Sequence, residues 1–303
     1  MSKERAADGV RCGRLVIVAT PIGNLADLAP RARDALAAAD VVAAEDTRRS
    51  GQLLAALGLQ KPMVSLHAHN ERERGDALLA RLQAGEGVAL VSDAGTPLLS
   101  DPGYDLVRRA ALAGIEVTTV PGPTAIAAAL AVAAVPTDRF CFEGFLSAKP
   151  RERRSQLQRL AHESRTLVFF EAPHRIAAML EDAAAAFGAD RRAAVTRELT
   201  KLHESIYRGS LGELAARAER EADFCRGEIT LVVAGAPPEE SADVVGDADP
   251  AETAARREIL ERTLEAALTH LPSAKAAAVA AAASGLPREL AYARAVELAA
   301  LRR

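Results

Sequence analysis

The stretch RELTKLHE (197–204) holds an arginine, two glutamates, a lysine and a histidine, with Glu198 and Lys201 three residues apart. Such a cluster is either a solvated set of ion pairs or a group of charges placed for chemistry. A second stretch, VALVSDAGTPLLSDPG (88–103), begins as a buried strand and stops in an aspartate, glycines and prolines. Taken alone, backbone bared by Gly and Ala beside one carboxylate is a ligand cradle or a tight strand-to-helix connection. Three more apolar runs end in the same manner, in ATPIGN (19–24), AEDTRR (44–49) and VPGPT (120–124). In a parallel sheet the carboxyl ends of the strands share one edge, and ligands bind in the crevice there. Four unusual loops on one edge read as a site.

The residue types at that edge narrow the ligand. No G-x-x-x-x-G-K-[ST] is present, and the first strand is not followed by G-x-G-x-x-G. Neither SDAGTP nor PGPTA carries a Lys or Arg, so a phosphate would find backbone donors without counter-charge. Asp93 and exposed carbonyls suit a ligand with ammonium, amino or hydroxyl donors, such as a nucleoside joined to an amino acid. His67 and His69 fit one face of a strand but have no third ligand nearby, so no metal is expected. His174 is a substrate contact, a dimer contact or packing. The segment KPRERRSQLQR (149–159) carries five bases and one acid. It is a solvated helix face or, through Lys149, Arg151, Arg153 and Arg154, a phosphate contact.

The elements that must position these groups alternate. Strands are expected at 14–19, 41–44, 63–66, 88–91 and 115–120. A helix begins at Pro30, and Asn70 with Glu73 resembles a capping box for a helix through Leu82. Another helix spans 104–113, and Gly122–Pro123 opens an alanine-rich one that Pro136 stops. This repetition argues for a parallel sheet with helices on both faces. A second α/β unit follows, with strands near 140–143, 166–170, 193–196, 205–208 and 228–234, and its short connections imply some antiparallel pairing. The segment 237–250 has five acids, no base and three prolines, the composition of a linker. The tail is helical. One helix covers 253–270, Ser273 caps a second through Ala283, and SGLP (284–287) turns into a third. The pattern is a helix-turn-helix or an alanine-rich hairpin that packs or dimerises.

Composition removes several classes. With 303 residues the chain has room for about two domains, and 49% hydrophobic content supplies their cores. Aromatics are 3% with no tryptophan, which argues against a base-stacking RNA platform. A net charge of −3 argues against a protein that wraps naked nucleic acid, so any such contact is a local patch. Cys12, Cys141 and Cys225 are too scattered for a disulfide framework or zinc site. The start, MSKERAADGVRCG, lacks an apolar signal region, and no window reaches a membrane span. A cytoplasmic protein is expected.

The motifs LVIVATPIGNLADL, AEDTRRS, VSDAGTPLLSDPG, VPGPTA, FEGFL, FFEAPHR, VTRELTKLHE and GEITLVV occur in this order. Together they closely resemble the ribosomal RNA small subunit methyltransferase I family, a branch of the tetrapyrrole-methylase-like, S-adenosylmethionine-dependent enzymes. The resemblance covers about residues 14–236, and the tail resembles that family's helix-turn-helix. It implies two α/β domains of the tetrapyrrole methylase type (14–137 and 138–236), the 237–250 linker and a helical domain at 251–303. It also implies a homodimer, S-adenosylmethionine as methyl donor, and methylation of a cytidine ribose 2′-oxygen in the decoding region of 16S rRNA within the 30S subunit. Carried over by motif, the cofactor contacts are Pro21, Asp93, Ala94, Gly95, Thr124, Ala125, Phe142, Leu199 and Ala236. A ribose hydroxyl is a poor nucleophile, so a desolvated Lys201 oriented by Glu198 is the candidate base. Asp46 and Arg48 would hold the sugar or its phosphate. Two other readings stand beside this one: a tetrapyrrole C-methyltransferase, and a non-catalytic nucleic-acid regulator using the C-terminal helices.

Overall fold

A computed structural model of the chain describes residues 13–237 and 250–301. The expectations for the N-terminal segment, for Cys12 and for 238–249 of the linker lie outside the described residues. Contacts divide the chain into two compact units, Met1–Ala236 and Pro237–Arg303.

The first unit opens with strands β1 (Arg14–Val18), β2 (Val41–Ala44), β3 (Met63–Ser65), β4 (Gly87–Val91) and β5 (Glu116–Val120). They form one sheet in the order β3-β2-β4-β1-β5, with every neighbour parallel. Between and after them lie helices α1 (Pro30–Ala38), α2 (Thr47–Ala56), α3 (Glu71–Gln83), α4 (Tyr104–Leu112) and α5 (Ala125–Val132). Strand side chains alternate between faces, so Val88 and Leu90 join α3 and α4 on one side. Ala89 and Val91 join α1 and α2 on the other. Burial on both faces is why β4 reads as an unbroken apolar run.

The second sheet contains β6 (Phe140–Phe145), β7 (Thr166–Glu171), β8 (Arg192–Arg197), β9 (Ser205–Ser210) and β10 (Ile229–Val233). Its order is β6-β7-β10-β8-β9; β6 and β7 are parallel and the other pairs antiparallel. Helices α6 (Pro150–Arg159), α7 (Ile176–Phe187) and α8 (Leu211–Arg220) cover one face, placing Leu157, Leu180 and Leu214 in one core with the fully buried Phe169 of β7. The other face receives α5, whose Ile126, Ala129 and Leu130 pack on Val168, Ala194 and Val232. The alanine-rich helix after the last parallel strand therefore joins the two sheets. Each of the larger side chains, Ile126, Leu130, Val168 and Val232, stabilises the join by roughly 1.5–3 kcal/mol when removed from water.

In the second unit, α9 (Pro250–Ala267), α10 (Ser273–Ser284) and α11 (Arg288–Leu301) pack Leu260 and Leu264 against Ala276, Ala277, Ala280, Ala291 and Ala295. Alanine at the contacts allows close helix approach. A three-residue turn containing Gly285 joins α10 to α11, as a helix-turn-helix requires.

Several local expectations change. Asn70 does not cap α3, because its Oδ1 accepts from the His67 N–H at 2.8 Å and its Nδ2 donates to Ser65 at 3.1 Å. The side chain is committed to the preceding turn. Glu71 instead reaches across to α4, accepting the N–H groups of Gly103 and Asp105 at 2.9 and 3.2 Å. Pro272, extended at ψ 151°, is the residue before α10, so Ser273 lies inside the helix and caps nothing. Helix α5 starts after Thr124 and ends at Val132, four residues before Pro136. His67 and His69 fall in a turn beyond β3, not on a strand.

Candidate functional site

The four suspect loops meet. The β1 and β4 loops exchange a backbone pair, the Thr20 N–H donating to Gly95 at 2.9 Å and the Gly95 N–H to Thr20 at 3.1 Å. The Thr96 hydroxyl donates to the Pro123 carbonyl at 3.1 Å, which brings in the loop after β5. The Asp46 N–H donates to Asp93 Oδ1 at 3.0 Å, which brings in the loop after β2. Gly95 has φ +80°, and a Cβ there would stand 3.2 Å from Ile22, so the crossing is built for glycine.

Beside this junction lies a cleft of about 440 Å³ between the edge of the parallel sheet and the second sheet. Ile22, Glu45, Asp93, Ala94, Gly95, Asp101, Thr124 and Ala125 line one side. Phe145, Phe170, Thr196, Leu199, Glu228 and Thr230 line the other. Of the nine residues expected at a cofactor, six stand here: Asp93, Ala94, Gly95, Thr124, Ala125 and Leu199.

Three do not line it. Ile22, the next residue in the chain, takes the wall in place of Pro21. Phe142 sits behind the wall, edge-on to Phe170 with centroids 4.9 Å apart. A register shift between Phe142 and Gly144 brings Phe145 to the cleft instead. Ala236 lies at the wrong end of its strand. Because β10 runs antiparallel to β7, Ile229 pairs with Glu171 at the cleft while Val233 pairs with Leu167 away from it. The Ala236 N–H is taken by the Glu163 carbonyl beyond that far end.

Carboxylates crowd the cleft. Asp93 is held by Arg49 at 3.2 Å as well as by the Asp46 N–H. Burial raises the Glu45 carboxyl above its ordinary pKa, and Asp101 and Asp93 add repulsion. Asp101 is raised as well, first by burial and then by Asp93, against a hydrogen bond with Ser92. Groups raised this way gain most from a cationic ligand. With aromatic and aliphatic walls opposite, the cleft fits a molecule that has a positively charged end and a flat apolar end.

Next to the cleft-lining Glu228, Lys201 Nζ lies 2.9 Å from Glu198 Oε1 and 3.1 Å from Glu228 Oε2. Burial pulls this lysine's pKa down, but the two carboxylates outweigh it and hold it above the ordinary value. The amine is therefore an ammonium at neutral pH, and the expectation of a neutral lysine base gives way to a fixed cation. Glu198 is oriented by the Glu228 N–H, 2.8 Å from Oε1. Its own pKa falls because that bond and Lys201 overcome the cost of burial.

Asp46 first serves the fold. Its Oδ1 accepts the Arg48 N–H at 2.8 Å, capping α2, and the Arg48 guanidinium bonds both carboxylate oxygens. Those hydrogen bonds lower Asp46 to about 2. On α6, Arg153 departs from the expected phosphate role: its residue is 4% exposed and its guanidinium pairs with Asp182 at 2.7 Å. The side chain is an anchor between α6 and α7. Lys149 pairs with Glu152 at 2.9 Å, Arg154 is exposed but stands 3.6 Å from Asp182, and Arg151 is exposed. His67 and His69 contact edge-to-face at 6.0 Å, and His174 is exposed beside the cleft-lining Pro173. No metal-holding group of His, Cys, Asp or Glu occurs among the described residues.

Glu45, Arg49, Asp101, Phe145, Phe170 and Glu228 were not singled out from sequence. All six lie inside the quoted motifs, so a signal existed; their spacing did not show which would face the cleft.

Residues 14–215 match the tetrapyrrole (corrin/porphyrin) methylase family, and residues 253–299 match the RsmI C-terminal HTH domain. Among solved structures, the methyltransferase CobJ aligns at TM-score 0.57 and 21% identity, covering 74% of this chain and 95% of that one. A uroporphyrin-III-C-methyltransferase from Thermus thermophilus aligns at TM-score 0.53 and 22% identity, covering 73% and 94%. These likenesses speak to the fold. Closer in sequence are proteins called ribosomal RNA small subunit methyltransferase I. That of Xylella fastidiosa (strain Temecula1) is 49% identical over 92% of this chain and 98% of its own. That of Pseudomonas aeruginosa is 47% identical over 94% and 97%, and that of Escherichia coli O157:H7 44% identical over 98% and 99%. A converging set of strand-end loops on a tetrapyrrole methylase fold, a matching helical tail and full-length relatives at this identity show that the chain belongs to the ribosomal RNA small subunit methyltransferase I family.

Proposed function

We propose that this protein is an S-adenosylmethionine-dependent rRNA methyltransferase that modifies the ribose 2′-oxygen of a cytidine in the decoding region of 16S rRNA. It would act in the cytoplasm as a homodimer on the 30S subunit. The 14–137 and 138–236 regions would serve as the two methylase domains, joined through the 237–250 linker to the 251–303 helical domain. The observation that carries the reading is the acid-lined cleft on which all four strand-end loops converge.

When bound, S-adenosylmethionine supplies a methyl group on a sulfonium, whose C–S bond breaks as the new O–C bond forms. Asp93, with the raised carboxyls of Glu45 and Asp101, supports binding of its positive charge. Leu199, Thr124 and Ala125 support its flat end together with Phe170. Lys201, fixed as a cation next to the cleft-lining Glu228, steadies negative charge developing on the sugar oxygen, and the hydroxyl proton leaves past Glu198 and Glu228 to solvent. Aligning the oxygen opposite the departing sulfur supplies much of the rate. Arg48, with its guanidinium largely exposed, and Arg151, Arg154 and Lys149 are the phosphate-facing cations.

The test is incubation with labelled S-adenosylmethionine and undermethylated 30S subunits, followed by nucleoside analysis. Label on a cytidine ribose is expected. Label on a porphyrinogen instead would select a tetrapyrrole methylase, and no transfer would select a non-catalytic nucleic-acid regulator. Normal turnover of Lys201→Ala at saturating donor and subunit would remove the lysine from the mechanism.

A further inference from the structure

The Lys201–Glu198 pair lies in a slot whose two walls are glycines. On the side of the parallel sheet, a Cβ at Gly23 would stand 2.4 Å from Lys201 Cγ, 2.7 Å from Cε and 3.0 Å from Cδ. The lysine stem therefore runs along the bare α-carbon of the β1 loop for three successive methylenes. On the side of the second sheet, a Cβ at Gly227 would stand 2.4–2.5 Å from Cγ, Cδ and Oε1 of Glu198. Contacts this short do not occur in folded proteins, so each glycine leaves room for one member of the pair. The lysine cannot simply swing aside. Its Cγ is close to the backbone, and turning it away from position 23 moves Nζ off both Glu198 and Glu228.

The turn that carries the pair is itself constrained. Glu198 and Thr200 hold left-handed backbone at φ +51° and +68°, a conformation that costs non-glycine residues about 1–3 kcal/mol and recurs at functional sites. The Glu198 N–H donates to the Glu228 carbonyl at 2.9 Å, so the turn is stapled to the chain entering β10. Ile22, the neighbour of Gly23, lines the cleft.

We infer that Gly23 is a positioning residue for Lys201: by lacking a side chain, it lets the lysine stem lie across the β1 loop and sets the ammonium next to the cleft-lining Glu228. Gly227 does the same for Glu198. The inference rests on the reading above in which Lys201 serves methyl transfer, and it assigns Gly23 no contact with donor or RNA.

The test is a four-protein cycle of wild type, Gly23→Ala, Lys201→Ala and the double variant. Each is assayed for methyl transfer to undermethylated 30S subunits at saturating donor, for donor affinity by calorimetry, and for melting temperature. Gly23→Ala is expected to lower kcat by up to about 100-fold, the scale of a misplaced group. Added to Lys201→Ala it should cost much less than in wild type, the clash being gone and only the strain of a side chain at φ +150° remaining. Donor affinity of Gly23→Ala should stay within about threefold of wild type, since the substitution acts through the lysine. The same fold loss from Gly23→Ala in both backgrounds would overturn the inference while leaving Lys201 in the mechanism. Wild-type turnover of Lys201→Ala would instead sink the underlying reading, and the inference with it. Should Gly23→Ala fail to fold, recovery of a folded double variant supports the clash with Lys201. A double variant that is also unfolded attributes the defect to the loop backbone and overturns the inference.

Discussion

Arg49 Nη1 lies 3.2 Å from Asp93 Oδ2, so the carboxylate that ends β4 is partly neutralised by a cation from the helix after β2. With the Asp46 N–H on the other oxygen, Asp93 ties two strand ends together while facing the cleft. Asp93→Ala should therefore weaken the loop junction and donor binding at once. Loss of hydrogen bonds to a charged group, at about 1.5–3 kcal/mol, corresponds to roughly 10- to 150-fold in donor affinity. Arg49→Ala should change stability by less than about 1 kcal/mol, as its side chain is mostly exposed. Calorimetric titration with S-adenosylmethionine and chemical denaturation check both.

The cleft acids predict a pH dependence. Glu45 and Asp101 are raised by burial, so folding favours their neutral forms relative to the unfolded chain. The stability they contribute is present below their unfolded values and lost as pH rises through their folded ones. A cationic donor reverses the preference. Its affinity should fall as pH drops from neutral into the carboxylate range, as these carboxyls protonate, and binding where they are protonated should release protons. Titrations in buffers of different ionisation enthalpy measure the release. Affinity that is flat across that range would remove these acids from the donor site.

The basic helix should separate into an anchor and a contact surface. Arg153→Ala removes the buried partner of Asp182 and leaves it only the exposed Arg154 at 3.6 Å, so it should lower stability by more than a surface pair would, about 1–3 kcal/mol by denaturant titration. Replacing Arg151 with Glu should move stability by roughly 0.5 kcal/mol or less, and Arg154→Glu somewhat more because Arg154 stands 3.6 Å from Asp182. The same pair should weaken binding to 30S subunits and flatten its salt dependence by about one unit of slope per lost phosphate contact. Unchanged subunit affinity would dismiss this face as the contact.

Two phenylalanines on neighbouring strands should part in the same way. Phe169→Ala opens a cavity in a fully buried core and should cost about 3–5 kcal/mol. Phe145 is 57% exposed at the cleft, leaning on Phe170 at 5.6 Å, so Phe145→Ala should barely change the melting temperature. It should reduce donor affinity several-fold.

Much of this protein is set locally. The apolar run Val88–Val91 with broken polar ends forces a strand buried on both faces, and its repetition forces a parallel sheet. Once the sheet is parallel, the odd loops share an edge, so the place of the site follows from sequence. The helical tail and its Gly285 turn are equally local. What sequence left undecided depends on side chains from distant segments. Spacing alone gave Arg153 the same standing as Arg151, and only the packing of α6 on α7 set one against Asp182 and left the other in water. Ala236 follows the GEITLVV strand and so falls at the end away from the cleft, because strand direction in the second sheet is a property of pairing. Lys201 read as a base on composition. Its ammonium is held by the local Glu198 together with Glu228, twenty-seven residues away, and its stem lies along a glycine of the β1 loop. Local propensity fixes elements over a few residues, whereas charge state and orientation answer to whatever tertiary packing brings within about 4 Å.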